Sequence, residues 1–494
     1  MRHRYTYIDG VGNASEESMV SEGGGSAGRK TFALVLLCCA SFVAVLDVTI
    51  VAIALPSVRR ELGFTGGDVQ WILTGYALSF GGLLLLMGRA GDLYGRRRLF
   101  VGGLALFAAA SLFGGLAWAP WVLVVARLLQ GAGGAALVPA SLALVSATFA
   151  EGEERNRAMG VYGAMAGVGF VFGMVLGGVV TEFLGWRWVL FVNVPVTLAV
   201  LSLAPIVLDE SKGEAAPRTL DLAGAATATL GLASLIYAVS EAPKNGWASP
   251  ATLGTAGLGA VFLGAFVTAE RRASTPLVPL PILYRRAVAI PNAAVVLKSM
   301  VGAAQLYVLT LYFQDALGRT PLEAGLLFIP MTLASVAASP VAGRLTTRLG
   351  TRHTAAWGFA MSGAGLVLVA WLMPHEGALP AVLLGMAVAE AGFVTASVPL
   401  TVAATDGVGD DERGLASGVL STATELGNAL GWAAVGAVIA AASAASGAEG
   451  LLGGLRWGLW SAMAFALLAL ILVAVGMRPG SRETKRSPSN ATEC

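Results

Sequence analysis

Charge is scarce in this chain. Of its 494 residues, 13% are Asp, Glu, Lys or Arg. That is half of the roughly 25% that covers a soluble domain, so a water-facing globular surface is excluded for most of the length. Cysteine is scarce too. Cys38 and Cys39 are neighbours and Cys494 is the last residue, which offers neither a disulfide framework nor a CxxC metal site. His3, His353 and His375 are the three histidines; they fall outside the apolar runs and form no HExxH motif, which argues against a membrane metalloenzyme. No GxxxxGK[ST] phosphate loop occurs, so direct driving by ATP is not expected. A net charge of +2 gives no reason to expect a nucleic-acid partner, and nothing calls for a metal or other cofactor.

Apolar sequence is abundant, at 56% of residues. It falls into fourteen runs, near 31–55, 69–88, 99–117, 121–143, 158–181, 187–208, 222–240, 251–269, 288–313, 323–343, 354–373, 379–403, 415–445 and 455–477. Each is long enough to cross about 30 Å of hydrocarbon as a helix. An even count puts both termini on one side of the bilayer. With that side cytoplasmic, 24 of the 32 lysines and arginines fall inside and six outside, the asymmetry of the positive-inside rule. The expectation is a multi-pass protein of the cell inner membrane. Residues 1–30 and 478–494 read as polar cytoplasmic tails, the former disordered and without a cleavable signal.

An internal repeat divides the chain. GRAGDLYGRRR starts at Gly88 and GRLTTRLGTRH at Gly343; each has Gly-Arg, a second Gly seven positions after the first, and Arg two further on. Both follow an inward-running span. Two homologous six-helix halves, 31–208 and 288–477, are therefore expected, with a 209–287 linker carrying two extra spans. Repeated halves about a midplane site are a transporter architecture.

Five ionisable residues interrupt the spans: Asp47, Arg127, Lys298, Glu390 and Glu425. A charge in hydrocarbon costs several kcal/mol unless it is paired, neutralised or wetted by a cavity. Three acids and two bases at depth thus suggest a functional set facing a cavity. A carboxylate poised between desolvation and a nearby cation can take up a proton on one side and release it on the other. For Glu390 and Glu425 a purely structural pairing with Lys298 is the competing reading.

Several stretches, in this order, carry a resemblance. LDVTIVAIALP at 46–56 holds Asp47; the GRAGDLYGRRR loop holds Gly88, Asp92, Gly95, Arg96 and Arg97; VVARLLQGAGGAA at 124–136 holds Arg127 and Gln130. GVYGAMAGVGFVFGMVLGG at 160–178 holds Gly160, Gly169, Gly173, Gly177 and Gly178, and GWRWVLFVNVP (185–195) and LYFQDALGRTPLEAGLLFIP (311–330) complete the series. Together they resemble the major facilitator superfamily, in its fourteen-helix drug:proton antiporter branch. The resemblance implies an all-α major facilitator fold. It also implies that the 88–98 loop gates the cytoplasmic side, that Arg127 tunes a carboxylate, and that the helix-five glycines form a sliding surface. Two departures stand out. Met174 takes the place of the family's usual proline in helix five, and Ala52 that of an asparagine in helix one, where a polar group in the substrate path would be lost.

The resemblance implies a monomeric exporter of a small organic compound, a drug, antibiotic or secondary metabolite, driven by inward proton flow. Met174 leaves open an importer or lipid flippase of the same fold. A transport-dead sensor or scaffold would need dispensable intramembrane charges.

Overall fold

Hydrocarbon offers backbone amides no partners, so a chain of this composition must satisfy them within helices. The computed structural model describes residues 12–64, 68–150, 152–211, 221–273, 276–277, 280–373, 375, 377–406, 413–445 and 450–477, and has no β-strand among them. The expected 478–494 tail, residues 1–11 and most of the 406–413 loop lie outside the described residues.

The first half comprises α1 (Gly12–Leu62), α2 (Trp71–Tyr94), α3 (Arg96–Gly115), α4 (Pro120–Thr148) and α5 (Glu153–Phe183). Its sixth span is built of α6 (Arg187–Phe191) and α7 (Asn193–Val207). Next come α8 (Leu222–Asn245) and α9 (Pro250–Arg272), then the short α10 (Leu280–Tyr284). The second half runs α11 (Arg286–Leu311), a π-helical turn (Tyr312–Ala316), α12 (Pro321–Leu327), α13 (Ile329–Leu372), α14 (Leu379–Asp406), α15 (Arg413–Ala445) and α16 (Gly450–Gly476).

Among the described residues, thirteen helical segments are long and apolar enough to cross a membrane. One of them, Pro321–Leu372, has 52 residues, and at 1.5 Å per residue would reach more than twice the roughly 30 Å needed. It contains a break at Gly350, where φ is 81° and ψ 165°. The two pieces cover the tenth and eleventh expected spans. The first membrane-crossing segment is Gly28–Leu62, which covers the expected 31–55 span, and α1 continues back from it to Gly12.

Within the first half α1 packs on α5 and α4 on both α2 and α3; within the second α11 packs on α15 and α16, and α13 on α14 and α16. The halves meet through α2 against α15 and α5 against α12. The inserted helices α8 and α9 pair with each other, and α8 also touches α2 and α15. Leu253, Leu258 and Val261 of α9 are exposed, as suits a helix at the lipid boundary.

The repeat inferred from sequence has a structural counterpart. Gly95 and Gly350 both sit at positive φ, 114° and 81°, where a side chain would be strained. Two residues on, Arg97 Nη1 donates to the Leu208 carbonyl at the end of α7 (3.1 Å), and Arg352 donates to the Ala474 carbonyl near the end of α16. Arg29 Nε likewise reaches Val207 O (3.3 Å) and Arg286 Nε reaches Gly476 O (2.9 Å). In each half, two arginines serve the orphan carbonyls that end the sixth span.

Candidate substrate and coupling site

Glycines set the position of α1 against α5. A methyl group on Gly169 would meet Phe42 O at 2.8 Å, one on Gly173 would strike Thr49, and one on Gly177 would lie 3.1 Å from Ile50 Cα. Three glycines on one face thus let α5 lie directly on the stretch of α1 that holds Asp47. Gly160, from the same sequence motif, has nothing within 4 Å and takes no part. Gly178 faces the other half, its hypothetical methyl 2.6 Å from Pro321 O. Met174 introduces no kink, since its amide can donate where proline's cannot, and α5 is continuous from Glu153 to Phe183. Its carbonyl lies against Gly325.

Asp47 and Arg127 are both wholly buried and form an ion pair, Arg127 Nη1 donating to Oδ2 at 2.5 Å. Gln130 Nε2 and Asn193 Nδ2 each donate to Asp47 Oδ1 at 2.7 Å. Gln130 in turn accepts from Arg127 (2.6 Å) and donates to Ser111 Oγ (2.8 Å). Arg127 Nε bonds Ile72 O at 2.9 Å, and its guanidinium stacks 4.5 Å from the Tyr76 ring centroid. Five charge-assisted bonds compensate much of what burying the two charges costs. Asn193 and Ser111 were not singled out from sequence. Asn193 stands in the quoted GWRWVLFVNVP stretch, and a polar residue inside an apolar span is the signal that marks it.

Beside this network lies a cavity of about 460 Å³ between the halves. Its wall includes Thr49, Tyr76, Phe170, Gly302, Glu425 and Trp432. Tyr76 lines it while Asp47 and Arg127 do not; Asp47 is wholly buried among its hydrogen-bond partners. Ala52 is fully buried in a hydrophobic cluster and is absent from the cavity wall, so the expectation that it thins a polar substrate path does not hold here.

Glu425 does reach the cavity. Asn428 Nδ2 approaches its Oε2 at 3.4 Å, and it makes no ion pair within 4.0 Å among the described residues. Its α-carbon segment abuts α2, where a methyl on Gly81 would sit 2.8 Å from Glu425 Cβ. Lys298 makes no direct pair with Glu390 or Glu425 either. Its ammonium lies over the Phe393 ring, 4.8 Å from the centroid, a cation–π contact, while both carboxylates lie near enough to attract it. The structural pairing entertained from sequence is therefore indirect. Glu390 is 6% exposed and does not line the cavity.

The end of the bundle that carries the 88–98 loop differs from the far end. At the far end the halves are tied together. Arg59 pairs with Asp315 at 2.9 Å, Gln314 Nε2 donates to Ile53 O at 2.8 Å, and Leu322 N donates to Glu182 at 3.0 Å. Thr320 and Glu323 form a capping box around Pro321, which fixes the start of α12 against α5. At the loop end, Asp92 bonds Arg96 within its own half (2.9 Å), Arg97 N donates to Glu210 (3.0 Å), and Arg89 reaches Pro276 O in the linker (2.6 Å). A methyl group on Gly88 would come no nearer than 4.0 Å to Pro139 Cβ, so this glycine is not needed for a close approach here. Among the described residues, the bonds Asp92 makes are to Arg96 of its own half and none crosses to the other.

The fold agrees with comparisons to known proteins. The Major Facilitator Superfamily model matches residues 37–270 and 292–493. The cephamycin export protein of Amycolatopsis lactamdurans is 40% identical over 82% of this chain and 84% of its own. The puromycin resistance protein of Streptomyces alboniger is 40% identical over 82% and 81%, and the lincomycin resistance protein of Streptomyces lincolnensis 36% over 81% and 82%. Among solved structures, an auto-inhibited peptide transporter of the POT family superposes with a TM-score of 0.67 at 16% identity, covering 91% of this chain and 98% of that one. The nucleoside transporter NupG gives 0.64 at 12%, covering 90% and 100%. These two speak for the fold alone. On the family match and on the extent of its likeness to antibiotic export and resistance proteins, this multi-pass membrane protein belongs to the Major Facilitator Superfamily.

Proposed function

We propose that this chain is a secondary exporter that moves a small organic compound out of the cell in exchange for protons, by alternating access, from the inner membrane with both termini cytoplasmic. The observation that carries the reading is the cavity between the halves, bordered by the carboxylate of Glu425, with the far end tied shut by Arg59–Asp315 and Gln314–Ile53. With the 88–98 loop cytoplasmic, as its arginines favour, the far end is the outer face and this state loads from within. The antibiotics named for its relatives supply the substrate class: a drug-sized product of secondary metabolism.

A proton moving down a 100 mV potential supplies about 2.3 kcal/mol, sufficient to drive substantial accumulation. Glu425 is the carboxylate a proton or a substrate cation meets first. Asp47 joins the cycle when its pair with Arg127 parts, because both oxygens of its carboxylate are engaged in this state. Neither step calls for a cofactor, and one chain holds the whole cavity.

The test uses inside-out vesicles with an acid interior. Puromycin, lincomycin and a cephamycin are added in turn while a pH-sensitive dye reports the lumen. A compound that dissipates the gradient in vesicles carrying the protein, and not in vesicles lacking it, supports proton-coupled export. Uptake of the same compounds that is indifferent to the gradient would remove the proton from the reading.

A further inference from the structure

A second cavity lies outside the one between the halves. It is a cleft of about 520 Å³ at the far end of the bundle, lined by Phe64, Asp68, Trp71, Trp121, Val125 and Tyr237 among others. Helix α2 packs against both α4 and α8, and it contributes Trp71 between walls drawn from those two helices. Trp121 on one wall and Tyr237 on the other are 62% and 47% exposed, so the cleft opens to the bilayer and not into the bundle. Trp71 lies against Tyr237 with ring centroids 6.0 Å apart, and Trp118 meets Trp121 edge-on at 6.3 Å. Tryptophan and tyrosine gather where hydrocarbon gives way to headgroups.

Charge is confined to the rim. Tyr237, Glu241 and Lys244 stand at i, i+4 and i+7, so the face of α8 that lines the cleft continues outward into an acid and a base. Lys244 donates to Glu241 at 3.1 Å and to Asp68 on the opposite side. The Lys244 and Asp68 side chains are 40% and 32% exposed, within reach of a ligand. An ammonium has three N–H groups, which leaves Lys244 a donor beyond these two bonds, and a carboxylate accepts more than one.

We propose that this cleft is a binding site for one phospholipid with a zwitterionic, primary-amine headgroup, a resident of the leaflet and not cargo. An acyl chain lies over Trp121, Val125 and Tyr237. The phosphate takes the remaining Lys244 donor, and the headgroup ammonium donates to Asp68 or Glu241. With the 88–98 loop cytoplasmic, the lipid belongs to the outer leaflet. An anionic headgroup meets two carboxylates against one ammonium and is disfavoured. A quaternary ammonium has no N–H to donate, so choline is held less well. Because α8 belongs to the inserted pair, the lipid joins the insert to the first half.

The test is native mass spectrometry of the purified full-length protein in detergent. The probes are dioleoyl phosphatidylethanolamine, phosphatidylcholine and phosphatidylglycerol. Wild type takes its first phosphatidylethanolamine about tenfold more tightly than phosphatidylglycerol, a difference that one charged contact supplies, with phosphatidylcholine between. Asp68→Asn combined with Glu241→Gln gives the rim one net positive charge in place of one net negative, and phosphatidylglycerol then binds most tightly. A misfolded variant cannot produce that reversal, so the readout carries its own folding control. Val125→Trp fills the cleft from the α4 wall and loses the headgroup preference, whereas Leu258→Trp on the exposed face of α9 keeps it. Wild type indifferent to headgroup, a double variant with the wild-type order, or a preference that survives Val125→Trp each overturns the proposal. So does a spectrum in which Val125→Trp removes a second copy of the chain instead of a lipid. Every readout here is lipid binding, so the export reading stands or falls separately.

Discussion

The carboxylate of Asp47 and the guanidinium of Arg127 meet at 2.5 Å with neither residue exposed. A pair so placed is costly to break from one side, because the surviving charge stays buried. Asp47→Asn is predicted to cost about 3–5 kcal/mol and to lower the thermal unfolding midpoint in detergent clearly. Replacing both partners with apolar residues, Asp47→Leu with Arg127→Met, is predicted to recover much of that stability while transport stays lost. An Asp47→Asn protein that melts like wild type would show that the pair parts freely, and Asp47 would then be a simpler proton carrier than its geometry suggests.

The sequence showed part of this plainly. Asp47 and Arg127 stood out because charge is rare in the spans, and the Gly95–Gly350 equivalence was readable as a spacing. What could not be read was which charges touch. Asn193 and Ser111 complete the Asp47 network through side chains 146 and 19 residues away from Asp47 and Gln130 respectively, and a polar residue in an apolar span flags Asn193 without telling which group it bonds. Lys298 looked like the natural mate of an acid, yet it rests on Phe393 because the packing of α11 and α14 puts a ring, not a carboxylate, under its ammonium. Fourth-position spacing puts Gly169, Gly173 and Gly177 on one helix face, and these three meet α1 while Gly160, off that spacing, has nothing within 4 Å.

The far-end closure gives a second prediction. Arg59 and Asp315 join α1 to the π-helical turn after α11, and the Asp315 side chain is 9% exposed. A bond to a charged group at that depth contributes about 1.5–3 kcal/mol, most of which is lost when the halves part. Arg59→Ala is therefore predicted to raise the population open at the far end roughly tenfold or more. The readout is labelling of Val48→Cys, on the cavity wall, by an impermeant maleimide added from outside cells, with Cys38, Cys39 and Cys494 replaced by serine. Labelling at the wild-type rate in Arg59→Ala would show that Gln314 and the apolar cluster hold this end without the ion pair.

Glycine contacts between α1 and α5 set up a contrast between neighbours in sequence. Gly173→Leu forces a side chain into Thr49 and the backbone at Leu46, and overpacking of that kind costs about 1–3 kcal/mol or more. Gly160→Ala has open space around it and gains up to about 1 kcal/mol of helix propensity. Folded yield after purification should drop sharply in the first and hold or rise in the second. Equal losses in both would mean that the motif acts through backbone flexibility along all of α5 and not through the α1 contact.

The paired corners of the two halves allow the backbone and side-chain costs of one residue type to be separated. Gly350 is at positive φ with nothing within 4 Å of a hypothetical methyl group, whereas Gly95 is at positive φ with the Glu210 carboxylate 2.6 Å from one. Alanine at Gly350 thus carries the conformational cost alone, roughly 1–3 kcal/mol. Alanine at Gly95 adds a steric clash and the displacement of Glu210 from the Arg97 amide it accepts from. Gly95→Ala is predicted to destabilise more than Gly350→Ala, and the excess should shrink when Glu210→Ala is added, a coupling that a double-mutant cycle measures directly. Urea-induced loss of tertiary fluorescence in detergent provides the readout. If Glu210→Ala leaves the excess untouched, the carboxylate yields without cost, and the difference between the corners lies in the backbone of the α2–α3 turn itself.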